Sequence, residues 1–92
     1  MTKSQNEIFE IFAGNLEPEK ADNILLQLAI PAMREKLAKK RKDGREGWQG
    51  SDCSNAILRD MLITHVEKGD PVDIMNIAAM IHVRTLLYGD DA

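Results

Sequence analysis

The chain has 92 residues, a net charge of −3 and one cysteine. That length supports a single domain over residues 1–92 with a modest buried fraction, and so slight a charge points to no polyanionic partner. Cys53 has no second thiol to pair with, which fits a reducing cytoplasm. No apolar run approaches the ~20 residues needed to span a bilayer, so no membrane partner is expected.

Residues 4–13 read as a short helix within a docking segment, 1–15. Ser4 and Glu7 form a capping box, Ile8, Phe9, Ile11 and Phe12 supply an apolar face, and Gly14-Asn15 ends it. The N-terminus carries Lys3 and Glu7 without a long apolar core and is not expected to be a signal peptide. A helix over 18–42 follows, opened by Pro18 with Glu17 and Glu19 at its positive end. Ile24, Leu25, Leu28, Ala32 and Met33 recur at helical steps, and Leu26 and Ile30 widen the stripe toward burial on more than one side. Pro31 leaves two outcomes open, a kink or a stop near Ala29 with a new helix beginning at Pro31.

Residues 43–53, DGREGWQGSDC, have no periodicity and read as a loop anchored by Trp48, whose indole N–H is expected to find a carbonyl. A helix over 54–68 follows, capped by Ser51, Asp52 or Ser54, with Ile57, Leu58, Met61, Leu62, Ile63 and Val66 as its apolar stripe. Gly69 ends it. Asp70 caps the last helix, 70–88, with Pro71 and Asp73 in its first turn. Ile74, Ile77, Ala78, Ile81 and Leu86 give its packing face. So short a turn makes these two helices antiparallel. Aromatic residues are few and the core must be aliphatic, so the fold class is all-α: a small bundle of four to five helices with an antiparallel C-terminal hairpin.

Several clusters carry candidate chemistry. Asp70 and Asp73 share a helix face, and Glu67 lies just before the turn; carboxylates at one helix start suit Mg²⁺ or Mn²⁺. Capping and the helix dipole account for both aspartates without a ligand. His65 and His82 fall roughly 12 Å apart along antiparallel helices, too far to share a zinc ion. Cys53 reads as a packing residue, with no histidine near in sequence to activate it. Seven of the twelve basic residues lie between Arg34 and Arg45. Cations belong at a helix C-terminus; the functional reading is phosphate contact through Lys39, Arg41 and Arg45. Without interleaved aromatics, nucleic acid is not the expected partner.

The run DPVDIMNIAAMI at 70–81 resembles the last helix of the MazG-like all-α nucleoside triphosphate pyrophosphohydrolases. KLAKKRKDGREGW at 36–48 resembles the basic helix and Gly-Trp loop of phage-encoded members, and HVEKGDPVD at 65–73 has the character of a phage or prophage protein. The likeness covers roughly residues 33 to 84. It implies a dimeric or tetrameric helical bundle that binds a nucleoside triphosphate through Mg²⁺, with Asp70 and Asp73 as its second acidic pair and Asn76 following. The family's first acidic pair is absent: the preceding helix reads NAILRDMLITHV, with Asp60 as its only acid.

The expectation is therefore a cytoplasmic, phage-type helical binding or interaction protein, without complete catalytic machinery or cofactor. Apolar surface beyond what one short chain can hide argues for a homodimer or another protein partner. The alternative is a Mg-dependent nucleotide pyrophosphohydrolase with Asp70, Asp73, Glu67 and Asp60 on the metal and Lys39, Arg41 and Arg45 on the phosphates.

Overall fold

The structure, a computed structural model, describes Gly14, residues 16–89 and Ala92. Three helices follow one another there: α1 (Pro18–Lys42), α2 (Asn55–Lys68) and α3 (Pro71–Tyr88). Among the described residues there is no strand, as the all-α reading expects. The short helix over 4–13, which would make a fourth, lies outside them. Also among the described residues, no helix is long and apolar enough to cross a membrane. The chain divides into two units, Met1–Pro31 and Ala32–Ala92.

In the first unit Glu19 occupies the first turn of α1, and the Ala21 N–H donates to the Glu17 carbonyl at 2.9 Å. Ile24 is buried, while Leu25, Leu26, Leu28 and Ile30 stay exposed. Burial on several sides is thus not realised, because apolar residues ring this stretch more widely than so small a unit can cover. Of the two outcomes left open at Pro31, the stop near Ala29 does not occur: α1 continues through the proline. Proline removes one N–H from the ladder, and the run on either side of it is rich in Ala, Leu, Met and Lys, which favour helix.

The second unit holds the C-terminal half of α1, the loop, and the α2–α3 hairpin. Ser54 is the residue that caps α2, its hydroxyl accepting from the Ile57 N–H at 3.2 Å. Gly69 ends α2 with φ +79°, a left-handed conformation open to glycine, and its N–H donates to the His65 and Val66 carbonyls. Asp70 then caps α3 through the N–H groups of Val72 and Asp73, and Pro71 follows at the first position. The hairpin is antiparallel. Asn55, at the start of α2, donates to the Thr85 hydroxyl near the end of α3 at 3.0 Å, whereas His65 and Asp73 face each other beside the turn.

Leu58 and Ile77 are the buried apolar residues of this unit. The rest of the expected α2 stripe is largely uncovered, with Ile57, Met61, Ile63 and Val66 all exposed. A seam between two helices covers one strip of each, and these residues spread over a wider arc than that.

Arg84 organises the loop. Its residue exposure is 5 %, and its guanidinium donates to four backbone oxygens. Nη1 reaches the Trp48 carbonyl at 2.8 Å and the Gly50 carbonyl at 3.1 Å. Nη2 reaches the Cys53 and Ala92 oxygens at 2.9 and 3.1 Å. A segment without regular structure leaves its carbonyls needing donors, and Arg84 supplies them. Trp48 is half-buried, and its recorded hydrogen bond runs through the backbone carbonyl rather than the indole. The Tyr88 ring lies 5.3 Å from the guanidinium carbon, one helical turn along. Arg84→Met is expected to destabilise the protein by roughly 2–4 kcal/mol, since several charge-assisted bonds vanish and buried carbonyls are left unpaired. Urea unfolding followed by Trp48 emission measures this; a loss under about 0.5 kcal/mol, the scale of an ordinary surface change, would contradict the role.

Candidate functional site

Lys36 and Lys40 are four residues apart on α1 and therefore share a face. Opposite them, Asp70 and Asp73 share a face at the start of α3. Lys36 Nζ donates to Asp70 Oδ2 at 3.0 Å and lies 3.7 Å from Asp73 Oδ2; Lys40 Nζ lies 3.9 Å from Asp73 Oδ1. Asp73 is buried, with its side chain 11 % exposed, so its charge needs a counter-charge close by, and the two lysines supply it. The hydrogen bond from Lys36, followed by the backbone N–H groups of Asp73 and Val72, holds the Asp70 carboxyl down at about 2. In turn Lys36 is raised above 10.5, chiefly by its hydrogen bond to Asp70 and then by the charge of Asp73.

Two more polar residues sit against this pair. Asn76 is 4 % exposed; its Nδ2 donates to the Met33 carbonyl at 3.2 Å, which turns Oδ1 the other way. His65 Nδ1 lies 3.5 Å from Asp73 Oδ2 without hydrogen-bond geometry. Both His65 Nδ1 and Asn76 Oδ1 are buried atoms with no hydrogen-bond partner.

Of these residues, Lys40, His65, Asp73 and Asn76 line an open groove of about 720 Å³ that lies wholly within the second unit. Its walls are Leu37 from α1, Ile57 and Met61 from α2, and Ile77 and Met80 from α3. Trp48 and Gly50, held by Arg84, close one side, and Arg41 and Arg45 line the basic rim. The groove exists because α2 and α3 are the helix pair whose backbones run close together. α1 reaches α3 through long side chains, Lys36 and Lys40, and through the Asn76 amide.

The residues expected from sequence divide between two places. Asp70 and Asp73 come together, as do Arg41 and Arg45 at the rim. Lys39, Glu67 and Asp60 are exposed, and among the described residues no group of three or more His, Cys, Asp or Glu side chains is placed to hold a metal ion. Cys53 is half-buried on the groove wall, and His82 is exposed. Sequence reasoning counted Lys36 and Lys40 in the basic run but missed their pairing with the acids, and it missed Arg84 and the place of His65 on the groove. The signals were present. Met33, Lys36, Leu37 and Lys40 follow one helical stripe, and Arg84 continues the buried stripe through Asp73, Ile77 and Met80.

The chain matches no protein-family model, no curated protein and no solved structure.

The paired charges set a pH dependence. Asp70 titrates lower in the folded chain than its ordinary 3.8, so its contribution is complete above that value. The contribution is lost as pH falls through the window between 3.8 and about 2. Lys36 is raised, so its contribution holds below 10.5 and is lost at higher pH. Asp70→Ser keeps a capping oxygen but removes the ion pair. It is expected to flatten the acid slope of stability measured by urea unfolding across this range; an unchanged slope would count against the Lys36–Asp70 tie.

Proposed function

We propose that the protein is a small helical binding module whose ligand or partner occupies the groove, and that it lacks a complete catalytic set. The carrying observation is the pairing of Asp70 and Asp73 with Lys36 and Lys40. A metal that activates water and bridges phosphates needs several carboxylates free to bind it. In this chain the two adjacent acids tie α1 to α3, and a divalent cation would have to displace two ammonium groups. The lone cysteine fits a cytoplasmic setting, and the MazG-like likeness stands as a proposal of common architecture rather than common activity.

The second reading, a Mg-dependent nucleoside triphosphate pyrophosphohydrolase, draws on Arg41 and Arg45 at the rim of the same groove as phosphate contacts. One assay separates the two. Incubation with a panel of (d)NTPs and Mg²⁺ or Mn²⁺ is expected to release no pyrophosphate above a buffer control. Turnover that Asp73→Asn abolishes would replace the binding reading with the enzymatic one.

Self-association is part of the same proposal. Ile63 and Val66 on α2, and Leu86 and Leu87 on α3, are exposed at 59, 56, 72 and 63 %, and their burial against a second copy would be favourable. Sedimentation at tens of micromolar is expected to show a dimer that Leu86→Glu with Leu87→Glu converts to monomer. A monomeric native chain would remove this part of the proposal.

A further inference from the structure

The C-terminal stretch of α1 carries three arginines along one line. Arg34 and Arg41 are seven positions apart and share a helix face. Arg45 follows the helix end, where its N–H donates to the Lys40 carbonyl at 2.8 Å and holds it beside the last turn. All three are exposed, and among the described residues none has a carboxylate within 4 Å. The helix dipole favours cations in the last turn, Arg41 among them, but its effect fades well before Arg34. Neither Arg34 nor Arg41 has an acid three or four positions away to pair with.

Arg41 and Arg45 border a groove whose apolar walls are uncovered. Ile57 and Met61 on those walls are 49 and 43 % exposed, and Met80 and Trp48 are half-buried. Methionine adapts its shape to an incoming side chain. An apolar centre edged by arginine is how protein–protein interfaces are built. Of the other charges on the groove, Asp73 and Lys40 face each other at 3.9 Å, and Glu46 and Asp52 lie in the loop. The unpaired cations therefore stand on the α1 edge. We infer that the groove receives an amphipathic helix of a partner protein, with its apolar face against Ile57, Met61 and Met80 and an acidic flank along Arg41 and Arg45. A helix offers both sets at once, because its side chains repeat at three- and four-residue steps. A nucleic-acid strand would use the arginines but leave the aliphatic walls uncovered.

This inference names the partner class for the binding reading, on which it rests. The full chain selects from a displayed library of helical peptides about four turns long, with a fixed leucine stripe and flanking positions drawn equally from Glu, Gln and Lys. The native chain is expected to enrich Glu on one flank. Arg41→Glu with Arg45→Glu is expected to enrich Lys there instead and to weaken the best Glu peptide at least about tenfold, since attraction becomes like-charge repulsion. Ile57→Gln with Met61→Gln is expected to weaken the same peptide by a similar factor. Should the glutamine pair fail to fold by circular dichroism, the exposed arginine pair decides alone. Enrichment blind to charge, or the same in the charge-reversed variant, overturns the acidic-helix inference and leaves the groove a binding site. A labelled oligothymidylate that binds more tightly than the best peptide overturns it in favour of nucleic acid. A native dimer that the Ile57 and Met61 substitutions convert to monomer overturns it in favour of a second copy. No enrichment at all overturns the inference alone; the binding reading falls to the separate pyrophosphate assay, so the two failures are told apart.

Discussion

A guanidinium taken out of water needs acceptors, and the loop together with Ala92 supplies them to both terminal nitrogens of Arg84 while Nε goes unpaired. Its four backbone partners come from Trp48, Gly50, Cys53 and Ala92, all outside regular structure. The cost of burying the cation is offset only when those oxygens converge on it, so the position of the loop and the burial of the arginine are a single condition. The groove depends on that condition, because Trp48 and Gly50 form one of its sides. The apolar core could not place them: Leu58 and Ile77 hold α2 against α3 but leave residues 43–53 to other forces.

The second electrostatic device works across the groove rather than beside it. Lys36 and Lys40 reach from α1 to Asp70 and Asp73, and the reach of a lysine stem keeps the two helices apart while joining them. Close packing would have filled the same space with aliphatic side chains and left no cavity. The acids at the start of α3 therefore do several things at once. Asp70 caps the helix, both compensate lysines, and Asp73 lines the groove. Ammonium groups stand within 4 Å of both carboxylates.

The hairpin was legible in the sequence because its signals are local. Gly69, Asp70 and Pro71 each act within a turn of the helix they begin or end, so spacing alone identifies them, while at the start of α2 it leaves Ser51, Asp52 and Ser54 as alternatives. The loop was legible for the same reason, by its glycines and lack of periodicity. The pairings that make the groove are long-range, and spacing does not encode them. Lys36 and Asp70 are 34 positions apart, and Arg84 and Trp48 are 36. A basic run from Arg34 to Arg45 reads as uniform, yet the fold sorts it by helix face. Lys36 and Lys40 turn to the acids, Arg41 and Arg45 reach the rim, and Lys39 faces solvent. The apolar stripes misled in the opposite direction. Leu25, Leu26, Ile57 and Val66 recur at helical steps as buried residues do, but periodicity cannot say whether anything exists to cover them.

The lysine struts give the groove a property that an aliphatic wall would not have. Lys36 and Lys40 keep 28 and 25 % of their side chains exposed to solvent, so mobile ions reach the ties they make. Screening at high ionic strength weakens partly exposed pairs while leaving apolar contacts largely untouched. The α2–α3 seam is thus indifferent to added salt, and the span between α1 and α3 is not. Added salt is therefore expected to loosen the ties between α1 and α3 before it affects the contacts between α2 and α3.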